Sequence, residues 1–180
     1  MILFVNSCVR KESRTERLAR RLLEKLGGEY TEINLEKENL SPLTEKTLKI
    51  RTELLARGEI SSPAFARARQ FADADIIVIA APFWDMSFPA SLKIYIENIC
   101  VMGIASVYDE NGVPHGLCKA KKLYYVTTAG GKFIPDFGYE QIKALAENYF
   151  GIPETILISA ENLDIDGSDP EKILSDVIIT

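Results

Sequence analysis

Apolar and polar positions along the chain fall into two alternating patterns. Short apolar runs at residues 2–6, 30–35, 76–81, 122–128 and 155–159 have strand length, and the segments between them carry apolar residues at helical spacing. The helical segments are 13–27, where Leu18, Leu22, Leu23 and Leu26 share one face, roughly 42–57, 62–73, 88–102, 138–150 and 170–178. End signals agree with this placement: Ser13, Pro63 and Asp169-Pro170 stand near starts, and Gly103 and Gly151 follow ends. Runs such as Ile76-Ile77-Val78-Ile79-Ala80-Ala81 are apolar on both faces, as an interior parallel strand covered by helices on either side requires. Right-handed crossovers then predict an α/β, doubly wound, five-stranded parallel sheet with helices on both faces.

With five strands, the order 2-1-3-4-5 is expected, because a six-stranded dinucleotide fold needs another strand–helix unit. That is the flavodoxin-like arrangement, and it is expected to occupy residues 1–180 as one domain. The loosely patterned stretch 36–62 reads as a long connection carrying its own helix. With 47% hydrophobic residues, 180 residues bury a full core without disulfide or metal staples. Net charge is -5 and the basic residues are dispersed, which argues against nucleic acid as a partner. Cys8, Cys100, Cys118 and the single histidine, His115, lack metal-ligand spacing, so no metal is expected. The opening "MILFVNS" reads as a strand rather than a secretory leader, and no apolar stretch approaches the roughly 18 residues of a membrane span, so a cytoplasmic location is expected.

In open parallel sheets ligands bind beyond the carboxyl ends of the strands, where strand order reverses, here between strands 1 and 3. The loops to interrogate are therefore "NSCVRKESRT", "PFWDMS" and "TTAGGKF". The first offers an anion Ser7, Ser13 and Thr15, free N–H groups at a helix start, and a local excess of charge from Arg10, Lys11, Arg14 and Arg17. It has no glycine, which argues against both glycine-rich nucleotide fingerprints. Ser13 reads equally as an ordinary helix cap. Cys8 followed six residues later by Arg14 matches the spacing of a small tyrosine phosphatase, but "VRKES" lacks the small backbone that wraps the anion. Scarcity of histidine weighs against a triad hydrolase. Phe83 and the only tryptophan, Trp84, stand at a strand lip, as core or as a wall beside something flat.

"APFWDMSFPASLKIYIENI" resembles the segment that FMN-dependent NADH-azoreductases and NAD(P)H:quinone oxidoreductases carry after strand 3, a Pro-aromatic turn followed by a P-x-x-L-K-x-[YW] helix. The Ser7, Ser13, Thr15 spacing, "VTTAGG" and the hairpin "VYDENGVPHGL" are similar to the same family, most strongly from Ile76 to Gly131. The resemblance implies an enzyme passing hydride from NADH or NADPH through FMN to a quinone, azo or similar flat acceptor, with no catalytic side chain beyond the flavin itself. It implies that Ser7, Ser13, Arg14 and Thr15 hold the phosphate, that Pro82, Phe83, Trp84, Asp85 and Met86 flank the ring, and that Thr128, Ala129, Gly130 and Gly131 line its other edge. Tyr108 would stand on the substrate side, and relatives are homodimers with flavin sites at the subunit boundary. Asp85 replaces the usual asparagine and Ala129 a frequent arginine. An ionised aspartate only accepts hydrogen bonds, so it should oppose negative charge on the ring and lower its midpoint potential. Two other classes fit the same fold: an electron carrier serving protein partners, and a binding protein without flavin.

Overall fold

A computed structural model describes residues 1–179 of the chain. Five strands lie parallel: β1 (Ile2–Asn6), β2 (Tyr30–Asn34), β3 (Ile76–Ala80), β6 (Lys122–Thr128) and β7 (Glu154–Ala160). Between β3 and β6 the chain makes a small antiparallel hairpin, β4 (Ser106–Tyr108) and β5 (Pro114–Gly116). Sheet order is β2-β1-β3-β6-β7, the 2-1-3-4-5 arrangement. Register aligns the carboxyl ends: Asn6 pairs with Ala80, and Ala80 with Val126, so the loops leaving β1, β3 and β6 emerge side by side.

Strand alternation divides the core into two layers. Leu3, Val5, Ile77, Ile79, Leu123 and Tyr125 face α3 (Ala66–Asp73), α4 (Ala90–Ile99) and α5 (Phe137–Leu145). Ile2, Phe4, Val78, Ala80, Tyr124 and Val126 face α1 (Arg14–Leu26), whose Leu18, Leu22 and Leu23 form the expected stripe. Beyond β7, α6 (Pro170–Asp176) closes a small satellite through Leu174, Leu163 and Ala160.

Three segments refine the sequence reading. Residues 62–73 divide into a 3-10 turn, Pro63–Phe65, and α3, because Ser62 accepts from Ala64 N–H and fixes a tighter first turn. Residues 138–150 begin as α5 and widen into a π turn, Ala146–Phe150, which carries Phe150 into edge contact with Phe71, ring centroids 4.9 Å apart. The 36–62 connection carries α2 (Glu45–Ala56), none of whose residues is buried. Its Thr44–Thr47 capping box holds its start, and Arg51 anchors it to the carbonyls of Glu97 and Cys100 at 3.0 and 2.8 Å. Among the described residues no helix is long and apolar enough to cross a membrane.

Candidate functional site

The chain leaves β1 tied down. Ser7 donates to the Ala80 carbonyl from both its N–H (2.9 Å) and its hydroxyl (2.8 Å), locking the tip of β1 to β3. Cys8 N–H then donates to Asn6 Oδ1, closing an Asx turn. Ser13 caps α1 by accepting from Glu16 N–H at 3.3 Å. A first helical turn leaves its N–H groups without intrahelical acceptors. Glu16 is satisfied by the cap and Arg17 by the Ser13 carbonyl, so the N–H groups of Arg14 and Thr15 remain for a ligand.

The Thr15 hydroxyl lies 2.7 Å from that of Thr128 at the end of β6, and both residues are buried. A pair of hydroxyls consumes one proton between them, so one O–H stays free to donate. Beside it, Arg14 Nη1 donates to Asp164 Oδ1 at 2.6 Å.

After β3, Ala81 and Phe83 extend the ladder by donating to the carbonyls of Val126 and Thr128. The chain then turns back within four residues: Trp84 and Ser87 exchange N–H···O bonds of 3.1 and 2.8 Å. Asp85 and Met86 occupy the two central positions at φ 50° and 63°, the signature of a type I′ turn. Such a turn pairs its first and fourth residues, which leaves the N–H groups of Asp85 and Met86 outside the pairing. Phe137 N–H donates to the Met86 carbonyl at 3.0 Å, so the start of α5 clamps the turn. Gly138 makes the clamp fit, since a Cβ there would lie 2.9 Å from the Tyr125 hydroxyl and 3.1 Å from the Ser87 carbonyl carbon.

The loop leaving β6 is laced to the loop leaving β7. Ala129 N–H donates to Ala160, and the N–H groups of Asn162, Leu163 and Asp164 donate to Gly131, Ala129 and Gly130 in turn. A Cβ at Gly130 would overlap the Asp164 carboxylate, so the glycine admits that side chain. Phe133 returns toward β3 and meets Phe83 edge-on at 5.0 Å.

These loops enclose a cleft of about 360 Å³. One end carries Ser13, Arg14 and Thr15, with Val9, Arg10 and Glu12; Pro82, Phe83 and Trp84 form one wall; Thr128, Ala129, Gly130, Leu163 and Asp164 form the other. Orphan helix N–H groups, a free hydroxyl proton and a guanidinium suit a phosphate. An aromatic wall continuing into a turn with two unpaired N–H groups suits a flat heterocycle with carbonyl acceptors. The two halves together fit a flavin mononucleotide.

A sequence model of a family described as having the flavodoxin-like fold matches residues 1–177. FMN-dependent NADH:quinone oxidoreductase 2 of Clostridium acetobutylicum is 35% identical, across 98% of this chain and 94% of its own. The corresponding enzyme of Coprothermobacter proteolyticus is 33% identical, across 93% and 88%. The chain belongs to this flavodoxin-like family of FMN-dependent NADH:quinone oxidoreductases. Among solved structures, an azoreductase from Bacillus anthracis superposes with a TM-score of 0.82 at 21% identity, covering 97% of this chain and 92% of that one. An FMN-dependent NADH-azoreductase of the same species, in complex with FMN, gives 0.79 at 21% identity, covering 97% and 92%. At that identity the likeness is one of fold.

Of the residues expected at a family site, Ser13, Arg14, Thr15, Pro82, Phe83, Trp84, Thr128, Ala129 and Gly130 line the one cleft. Ser7, Asp85, Met86 and Gly131 do not line it, and both donors of Ser7 are spent on the Ala80 carbonyl. Tyr108 is elsewhere. It lines a separate groove with Arg51, Cys100, Met102 and Tyr149, its hydroxyl 3.5 Å from that of Tyr149. That groove lies where α4 ends, about 15 Å along the helix from the turn at its start, from ten residues at 1.5 Å each. His115 pairs with Asp109 at 3.2 Å on the hairpin.

Cys8 is buried and desolvation pushes its thiol up to about 12, the reverse of what a phosphatase nucleophile needs. Among the described residues no three His, Cys, Asp or Glu side chains are grouped to hold a metal ion. Leu163 and Asp164 were not foreseen. Their signal is positional: "AENLD" leaves the carboxyl end of a strand that neighbours β6, so it faces the same crevice.

Proposed function

We propose that this protein is an FMN-dependent oxidoreductase that takes reducing equivalents from NADH or NADPH and delivers them to a quinone, azo compound or similar flat acceptor. The observation that carries the reading is the cleft's division into an anion-accepting end at the start of α1 and an aromatic wall at the lip of β3, at the sheet's switch point. The chemistry that FMN supplies when bound is two-electron transfer between a reduced nicotinamide and the acceptor. The chain's own residues orient and enclose. The N–H groups of Arg14 and Thr15, the Thr15–Thr128 hydroxyl pair and the Arg14 guanidinium hold the phosphate, while Ser13 and Ser7 fix the backbone that presents them. Pro82, Phe83 and Trp84 would exclude water from one side of the ring, and the turn leaves the N–H groups of Asp85 and Met86 without a partner in the turn, as donors for its carbonyl oxygens. Thr128 to Gly131 close the opposite edge.

Purified protein should be yellow, be bleached by NADH or NADPH, and recover its colour on adding a quinone. Bleaching by dithionite alone would favour the electron carrier. Failure to take up FMN would remove both flavin readings.

The same reading includes a homodimer in a reducing, cytoplasmic setting. Tyr108 sits away from the cleft of its own chain, in a groove whose neighbours Leu48, Met102 and Tyr149 are exposed apolar residues, and so reaches a flavin only across a subunit boundary. All three cysteines are free. Dilution to monomer should release flavin, and flavin retention by a demonstrated monomer would refute the shared site.

A further inference from the structure

The anion-accepting end of the cleft already contains an anion of the chain's own. Asp164 reaches it from the loop after β7, its backbone fixed by the bond from its N–H to the Gly130 carbonyl at 2.9 Å. Its carboxylate lies over Gly130 in space that a side chain there would fill, and accepts from Arg14 at 2.6 Å. Arg14 is the guanidinium closest in sequence to the orphan N–H groups of α1, and this bond pairs it with a carboxylate of the chain itself.

A carboxylate in a phosphate site has a definite electrostatic consequence. Two anions compete for one cation, and the one built into the chain is present at all ligand concentrations. The pair is partly exposed, side chains at 34% and 63%, so it can open at modest cost and is not a buried structural bridge.

We infer that Asp164 acts as an internal competitor for the ligand phosphate: it holds Arg14 in the ligand-free cleft, must yield it when FMN binds, and sets FMN affinity below what the site's donors alone would give. This rests on the reading that FMN occupies the cleft. Asp164 is thus a specificity-determining residue for the phosphate end only. Riboflavin, which has the ring but no phosphate, is indifferent to it, whereas FMN and inorganic phosphate are not.

The test is titration of flavin-free protein with FMN and with riboflavin, followed by quenching of flavin fluorescence. Asp164→Asn should tighten FMN by roughly threefold to tenfold, the effect of removing one charge beside a phosphate at a partly exposed site, and leave riboflavin unchanged. Inorganic phosphate should compete with FMN more strongly in the variant by a similar factor. Asp164→Ser, which also removes the charge but shortens the side chain, should act in the same direction. Asp166→Asn removes a charge from the same exposed loop without touching Arg14 and should change neither flavin. Arg14→Gln should weaken FMN more in the Asp164→Asn background than in the parent, because only there is the guanidinium free beforehand. FMN binding that is unchanged or weaker in Asp164→Asn, or riboflavin tightened equally, overturns the inference while leaving the flavin site intact. A parent protein that binds neither flavin overturns the function on which it rests.

Discussion

The hydroxyl pair joining Thr15 to Thr128 allows structural and ligand-binding roles to be separated by a double-mutant cycle. Thr15 is 1% exposed and Thr128 8%, and their oxygens are 2.7 Å apart. Thr15→Val keeps the shape of the side chain but strands the Thr128 hydroxyl, and Thr128→Val strands that of Thr15. An unsatisfied buried hydroxyl costs about 1–3 kcal/mol, whereas removing both partners of a hydrogen bond is close to neutral. Each single variant should therefore lose about 1–3 kcal/mol and the double variant less than either single, so the coupling is at least about 1 kcal/mol. For a domain of this size that places each single variant roughly 2–4 °C lower in Tm per kcal/mol lost. Urea unfolding of flavin-free protein at neutral pH reads the free energies directly, with an unchanged m-value as the check that the two end states are the same. The double variant should regain stability without regaining FMN affinity, since the proton that the pair leaves free for a phosphate is gone. Strict additivity of the two single variants would refute the pairing.

The hairpin offers a sharper perturbation. A Cβ at Gly116 would overlap backbone atoms of Phe150 and Gly151, which cannot rotate away, so Gly116→Ala should cost about 3 kcal/mol in urea unfolding; a loss under about 0.5 kcal/mol would contradict the close approach. Asp85→Asn should raise the midpoint potential of the bound flavin in a redox titration without destabilising the fold, because asparagine tolerates the positive φ at least as well; an unchanged or lower potential would defeat the electrostatic argument. Stability should fall with alkaline pH. Burial holds the Cys8 and Cys118 thiols up at about 12 against an unfolded value of 9.0, so both are protonated in each state below about pH 9. Above it the unfolded chain releases protons that the native chain keeps, and stability is lost as pH rises toward 12, by at most about 1.4 kcal/mol per thiol per pH unit. Cys8→Ala should flatten the slope between pH 9 and 10, measured by urea unfolding.

What the sequence made legible was whatever is encoded locally. "IIVIAA" is apolar on both faces and short, bounded by Asp75 and Pro82, which suits an interior strand, and five strand-length runs alternating with helices admit few topologies. The α1 stripe and its Ser13 cap are equally local. The π turn was not legible, because it accompanies the approach of Gly116 to Gly151, a contact between distant segments. Nor was the Arg14–Asp164 pair, whose members are 150 residues apart and meet only because the sheet aligns the ends of its strands. The I′ turn was hidden for a different reason. Its central residues are normally glycine, asparagine or aspartate, and "WDMS" offers only one of these, so the motif registered as an aromatic lip rather than as a hairpin.

That turn carries backbone strain at two consecutive non-glycine residues, which costs of order 1 kcal/mol or more each. Such a conformation persists only where its surroundings over-determine it. Here they do: Phe83 is bonded to β6 through Thr128, Trp84 and Ser87 bond each other, and α5 holds the Met86 carbonyl through Phe137. None of these bonds involves the side chain at position 85 or 86. The geometry of the Asp85 and Met86 N–H groups is therefore set by the neighbouring strand and helix, and the side chains on these residues are free to change chemistry at constant geometry. Exchange of Asp85 for asparagine would leave the turn backbone in place and change only the side chain, which loses its charge and gains an N–H donor. On the flavin reading proposed above, the side chain at position 85 thus acts on potential rather than on binding pose, and the Asp85→Asn titration isolates it because both residues sit on the same clamped backbone.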